Sequence, residues 1–165
     1  MLWRIYCIYV IWEVVHMVEN IELIVLSFLA SIGFAIVFQV RGKDLLVAGL
    51  GGAITRLFYI IFMAFIPYRI LYAGLAAIVA AFYAELVASK KKTPATVFLY
   101  PSIIPLIPGD LIYYTMGGLV LSDTETFTRN GIDCLLALVG IAVGFVVAST
   151  ITFYIRKFAF NKESH

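Results

Sequence analysis

The chain has 165 residues, of which 63% are hydrophobic and 13% are charged, and its formal net charge is +2. Soluble domains are closer to half apolar and a quarter charged, so this composition excludes an ordinary soluble fold and is typical of an integral membrane protein. The small net charge, without a stripe of basic and aromatic residues, gives no reason to expect a nucleic-acid partner.

Five apolar stretches are each long enough to cross the hydrocarbon core of a bilayer, which takes about 20 helical residues. In chain order, the predicted spans cover residues 21–40, 45–66, 70–88, 95–121 and 132–155. Charged clusters or prolines separate them. The predicted fold class is therefore an all-α integral membrane protein with about five transmembrane helices.

Lysine and arginine are distributed unevenly between the two sides that these spans define. One side collects Arg41, Lys43, Lys90, Lys91, Lys92, Arg156, Lys157 and Lys162, whereas the other has only Arg4, Arg69 and Arg129. Because basic loops stay in the cytoplasm, we expect the N-terminus outside and the C-terminus inside. Residues 21–157 then form the transmembrane domain and residues 158–165 a cytoplasmic tail.

Residues 1–20 precede the first span and carry an aromatic stripe that repeats every three positions: Trp3, Tyr6, Tyr9 and Trp12. This pattern predicts an amphipathic extension of the first helix at the outer membrane interface. Glu13, His16 and Glu19 have the spacing of one half of a carboxylate-bridged di-metal site, but such sites need a second motif and further glutamates. We therefore expect no metal and no cofactor.

The fourth span contains three prolines: Pro101, Pro105 and Pro108. A proline within a helix costs about 3 kcal/mol, so three of them disfavour a single straight helix. We predict a break near Pro108–Gly109, because proline suits the first turn of a new helix and glycine permits unusual torsions. Half-helices that meet near the midplane form substrate sites in many transporters. The alternative is a simple proline kink.

Two ionisable residues lie at a similar depth, Arg56 in the second span and Asp110 just after the break. Charged side chains are costly in lipid, so both are expected to face the interior and to have a partner. Arg56 is predicted to bind a substrate carboxylate, together with Pro108, Gly109 and Tyr113 of the broken segment. Asp110 is predicted to carry a coupling proton or to form an ion pair. The structural alternative is a static Arg56–Asp110 bridge.

Three features together resemble a known family: Gly33-Phe34-Ala35-Ile36-Val37-Phe38 at the end of the first helix, the glycine-rich helix with Arg56, and Pro101-x-x-x-Pro105-x-x-Pro108-Gly109 with Tyr113. They resemble the threonine/serine exporter (ThrE) family, in the form of the separate small subunit that corresponds to its C-terminal half. The resemblance extends from about residue 22 to residue 156. Asp110 and residues 1–20 have no clear counterpart in the family pattern.

This resemblance implies a secondary exporter of the bacterial inner membrane that works with a larger membrane subunit. Threonine and serine are the implied substrates, and related two-subunit systems export succinate, a C4-dicarboxylate. If the larger subunit also crosses the membrane five times, the two would form an inverted-repeat transporter. A chain this short needs that partner or copies of itself to enclose a path for a small carboxylate-bearing solute.

Other functional classes remain open at this point. A non-transporting accessory protein would depend on the small-residue face of Gly140 and Gly144 and would tolerate neutral replacement of Arg56 and Asp110. A channel would share the same membrane topology. An enzyme is not expected, since the sequence has none of the common hydrolase, zinc-protease, nucleotide or dinucleotide motifs.

Overall fold

The computed structural model describes the backbone of residues 2–163 and the side chains of residues 20–155. This part of the chain is mostly helical and has no strand, which confirms the all-α class. Its elements are α1 (Leu2–Val37), α2 (Asp44–Phe65), α3 (Arg69–Lys91), α4 (Thr96–Ile103), a short 3-10 helix (Ile104–Leu106), α5 (Gly109–Val120) and α6 (Thr124–Glu163). The aromatic stripe and the Glu13, His16 and Glu19 set lie outside the described side chains.

The predicted membrane spans agree with the helices. Among the described residues, four stretches are long and apolar enough to cross a membrane: Asn20–Val37, Asp44–Phe65, Arg69–Lys91 and Thr124–Ile155. A fifth crossing results if Thr96–Leu106 and Gly109–Val120 are counted as one span, which is bent by 52° at the break. The prediction of about five transmembrane helices, with the fourth broken at its prolines, is therefore confirmed.

Three helices end at a residue in the left-handed conformation. These residues are Gln39 after α1, Lys92 after α3 and Ser122 after α5, with φ of 61°, 54° and 56°. In each case the following amide donates to a carbonyl five residues earlier, at 2.8 to 3.2 Å. This is the Schellman arrangement, which satisfies carbonyls that a helix end would otherwise leave without donors. The loops between helices can therefore be short.

The last helix begins eight residues earlier than the sequence predicted, at Thr124 rather than at residue 132. The side chain of Asp123 explains the difference, because it accepts hydrogen bonds from the backbone N–H of Thr126 at 3.2 Å and from its hydroxyl at 2.5 Å. This is an N-cap, which starts a helix in a stretch too polar to be recognised as part of a span. The hydrogen bonds from Thr126 lower the pKa of the Asp123 carboxyl.

Small residues bring α3 and α6 into backbone contact. A Cβ atom added at Gly144 would lie 2.2 Å from the carbonyl oxygen of Gly74, and one added at Gly140 would lie 2.3 Å from that of Ile70. Helix α3 also has a series of buried alanines that let its neighbours pack closely: Ala73, Ala76, Ala77, Ala80, Ala81, Ala84 and Ala88. The predicted small-residue face of α6 is thus an intramolecular seam, and α3 is the helix that packs on it.

The remaining helices are arranged around this seam. Helix α2 packs between α1 and α3, and α4 lies against all three of these helices. Within the described residues, helix α5 packs against α6 and makes no extensive contact with α1 or α2. This arrangement places the first half of the broken span inside the bundle and the second half at its edge.

Candidate functional site

The first half of the broken span is stabilised by a hydrogen bond from another helix. Pro105 has no N–H group, so the carbonyl of Pro101 lacks the donor that a regular helix would supply. The hydroxyl of Ser31, on α1, donates to this carbonyl at 2.8 Å, and both residues are buried. The proline that breaks the helix therefore creates an acceptor that ties α4 to α1.

The break itself is a tight turn centred on Pro108. The residue has φ −77° and ψ 69°, and the N–H of Gly109 donates to the carbonyl of Ile107 at 2.8 Å. These values define an inverse γ-turn. Helix α5 then begins, and its first regular bond runs from the N–H of Ile112 to the carbonyl of Pro108 at 3.1 Å. The discontinuous helix is formed as the prolines predict.

Two glycines of α2 allow the close approach of its neighbours near the break. A Cβ atom on Gly51 would lie 2.1 Å from the Oγ atom of Ser102, and one on Gly52 would lie 1.8 Å from the Oγ atom of Ser31. Neither position has room for a larger residue. Because residues four apart share a helix face, Arg56 lies one turn beyond Gly52 on the same side of α2.

Arg56 is half-buried, and its Nε atom is buried without a hydrogen-bond partner. Its guanidinium carbon lies 5.2 Å from the ring centroid of Tyr59, a cation–π contact. Tyr59 in turn meets the ring of Tyr72 edge-on, with centroids 5.2 Å apart. The arginine is therefore positioned by aromatic rings, and no carboxylate within residues 20–155 forms an ion pair with it.

Tyr59 also links Arg56 to the broken segment. It packs against a buried cluster that Leu106 of the 3-10 helix forms with Ala76 and Ala77 of α3. Arg56 and the last turn before the break are thus held by the same group of side chains. The glycine-rich helix and the proline-rich segment are neighbours in the structure.

The second half of the predicted site is placed differently from what we expected. Pro108 is buried, but Gly109 and Asp110 are exposed, and Tyr113 is 73% exposed. Asp110 was expected to face the interior, and in this chain it does not. The reason is that α5 packs through the next residue, Leu111, which is buried.

The Arg56–Asp110 bridge, our structural alternative, is also missing from the ion pairs of residues 20–155. Tyr113 contacts the ring of Tyr114 at 5.5 Å rather than the Arg56 region. The structure therefore brings Arg56 to the prolines of the broken span but leaves Asp110 and Tyr113 at the surface. Any site that uses all of them needs a second chain or a different conformation of this one.

The family of the chain follows from a match over most of its length. The family model described as Threonine/Serine exporter, ThrE, matches residues 23–151. The chain belongs to the threonine/serine exporter family. Neither a curated protein nor a solved structure matches it. The matched residues include the membrane part of α1, the region around Arg56, the break and most of α6.

Two cavities of this exporter-family chain lie away from Arg56. The larger one, of about 410 Å³, is an open groove between α5 and α6 with a mainly apolar lining that includes Ile112 and Leu135. The smaller one, of about 120 Å³, is lined in part by Glu85, Thr96 and Ser149. None of the substrate-binding residues predicted from the sequence lines either of them.

Sequence reasoning did not identify the residues that hold the candidate site together, namely Ser31, Tyr59, Tyr72 and Ser102. One signal was available in part, because a proline inside a helix leaves the carbonyl four residues earlier without its usual donor. The sequence does not show which helix supplies that donor. Ser31 lies seventy residues before Pro101, and only the packing of α1 on α4 brings the two together.

Proposed function

We propose that this chain is one subunit of a secondary exporter that moves threonine and serine out across the bacterial inner membrane, together with a larger membrane subunit. Family membership supports transport of this substrate class. The observation that carries the proposal is the state of Arg56, an arginine in the middle of a span with a buried Nε atom that lacks a hydrogen-bond partner. An intramembrane cation of this kind needs an anion.

A substrate carboxylate is well suited to be that anion. The planar guanidinium binds a carboxylate through two parallel hydrogen bonds, which a water or a hydroxyl group cannot reproduce. The cation–π contact with Tyr59 holds the guanidinium in place without neutralising its charge. The group can therefore bind and release a carboxylate without first breaking an internal ion pair.

The broken span supplies the second part of the proposed site. No backbone partner within the described residues accepts from the N–H groups of Asp110 and Leu111 at the start of α5. These groups, with the positive end of the helix dipole, favour an anionic or polar ligand. Pro108, Gly109 and Tyr113 would line this side of the site. Asp110 keeps the two roles predicted for it, proton carrier or ion-pair partner.

A larger partner subunit is part of the proposal because the described residues do not enclose Arg56 and Tyr113 in one cavity. The distribution of lysine and arginine favours an outer N-terminus and a cytoplasmic C-terminus. Succinate is the alternative substrate, because Arg56 would bind either of its carboxylates. The amino group of threonine or serine would then need an acceptor on the partner.

The test is an efflux assay in cells that lack their own exporters and are loaded with threonine, serine and succinate. The chain is expressed alone, and then with the larger subunit encoded beside it. We expect threonine and serine to leave only when both chains are present. Efflux of succinate alone would show that the substrate is succinate rather than threonine or serine. No efflux of any of the three, with both chains confirmed in the membrane, would contradict the proposal and favour an accessory role.

A further inference from the structure

Helix α5 has one face that nothing in the described part of the chain covers. Asp110, Tyr113, Gly117 and Val120 follow each other at intervals of three or four residues and therefore lie on one side of the helix. Tyr113 is 73% exposed and Val120 is 81% exposed. We call these four residues the α5 docking face. Leu111 and Gly118, which are buried, mark the side that packs against α6.

Gly117 is half-buried, and the space where its side chain would stand is not filled by any of the described residues. A Cβ atom added there would have no heavy atom within 4 Å, whereas one added at the neighbouring Gly118 would lie 2.6 Å from the backbone nitrogen of Phe127. Glycine weakens an exposed helix relative to alanine. A glycine at an open position is explained if another helix approaches there, because small residues allow the backbones of membrane helices to come close.

Asp110 gives the docking face a charge in the middle of a span. It lies fourteen residues after the start of α4 and ten residues before the end of α5. It is exposed, and it forms no ion pair with any cation of residues 20–155. A carboxylate that faced lipid at this depth would be strongly unfavourable. A cation from outside this part of the chain would remove this cost by neutralising the carboxylate.

A second copy of the chain is poorly suited to provide that cation. Of the basic residues between positions 20 and 155, Arg56 alone lies in the central part of a membrane helix. It is half-buried on α2 and in contact with Tyr59. The other basic residues lie in loops or close to helix ends: Arg41, Lys43, Arg69, Lys90, Lys91, Lys92 and Arg129. Charge complementarity thus favours a different chain.

We infer that the α5 docking face binds a transmembrane helix of the larger subunit, which presents a lysine or arginine to Asp110 and crosses α5 at Gly117. This inference rests on the two-subunit arrangement of the proposed function and adds the contact surface to it. It assigns to Asp110 the ion-pair role rather than the proton-carrier role. It also explains why Asp110 and Tyr113 lie at the surface of this chain.

The test measures how much of the larger subunit copurifies with the tagged chain from membranes in which both are expressed. Gly117→Leu should reduce the recovered subunit at least tenfold, because the new side chain occupies the space of the docked helix, whereas its Cβ atom has no described atom of its own chain within 4 Å. Ala30→Leu is the control, since it adds a leucine side chain at an exposed position of α1 that does not belong to the α5 docking face. This control should retain the larger subunit.

Charge reversal tests the ion pair separately. Asp110→Lys should also lower recovery at least tenfold, and changing the partner's mid-span lysine or arginine to glutamate should restore it. Recovery at the level of the unmodified pair for both Gly117→Leu and Asp110→Lys would overturn the inference, as would failure of the unmodified pair to copurify. A disulfide between two copies of Tyr113→Cys would identify a second copy as the occupant and overturn it too. If the unmodified pair copurifies normally but exports none of the three solutes, that result would count only against the proposed transport function.

Discussion

Replacing Gly144 with alanine should force α3 and α6 apart. The added Cβ atom would lie 2.2 Å from the carbonyl oxygen of Gly74, about 1.2 Å short of the 3.4 Å at which ordinary contact begins. The obstructing atom belongs to the backbone, so no side-chain rotation can relieve the clash. The helices have to separate along a seam that several buried alanines share.

The cost can be isolated with a second glycine of the same helix. A Cβ atom at Gly131 would meet only the Cγ2 atom of Thr115, at an ordinary distance of 3.5 Å. Both replacements gain the same advantage of alanine over glycine in a helix, about 1 kcal/mol. The difference between the two variants therefore reports the clash alone. Overpacking of this kind costs about 1–3 kcal/mol, so Gly144→Ala should be less stable than Gly131→Ala by that amount.

The assay is equilibrium unfolding in mixed detergent micelles, followed by far-ultraviolet circular dichroism. It gives the free energy of unfolding of each variant under the same conditions. Equal stability of Gly144→Ala and Gly131→Ala would show that α3 and α6 are not in backbone contact. That result would refute the arrangement of the helices described above.

Two further predictions concern single hydrogen-bonding side chains. Ser31→Ala should destabilise the protein by about 1–3 kcal/mol in the same unfolding assay, because it leaves the buried carbonyl of Pro101 without a donor. The control Thr150→Ala removes an exposed hydrogen bond within one helix and should cost much less. The N-cap of α6 should make the stability of the protein depend on pH, since the hydrogen bonds from Thr126 lower the pKa of the Asp123 carboxyl in the folded state. The ionised carboxylate stabilises the fold fully above the ordinary pKa of aspartate, and this stabilisation is lost as the pH falls through the lower pKa of the folded state. Unfolding measured from neutral to acidic pH should show this loss in the native chain and a smaller one in Thr126→Val, and an identical pH profile for both would contradict it.

The bounds of the second and third membrane helices could be predicted well because the bilayer fixes the length of a span. The predicted spans 45–66 and 70–88 correspond closely to the helices Asp44–Phe65 and Arg69–Lys91 of the structure. The break could be predicted for an equally local reason, since three prolines remove donors whatever the surroundings. Both inferences use only the chain itself and the thickness of the membrane.

The neighbours of each helix could not be predicted in this way. Lipid-facing and protein-facing surfaces of a membrane helix are both apolar, so hydropathy does not show which side of α5 packs against α6. That is why Asp110 was expected in the interior and is found at the surface. In the same way, the glycines at 51 and 52 indicated close packing, but the structure was needed to identify Ser31 and Ser102 as their neighbours.

The most direct test of the account is the rate of threonine and serine efflux from cells that express the larger subunit with the Arg56→Ala variant of this chain. Efflux should fall at least tenfold, with equal amounts of both chains in the membrane, because the substrate carboxylate loses its cation. Arg56→Lys should also be impaired, since lysine lacks the planar fork of donors. Arg129→Ala, which removes an exposed cation near the start of α6, is the control and should export normally. Efflux from Arg56→Ala at the unmodified rate would contradict the central claim that Arg56 binds the transported solute.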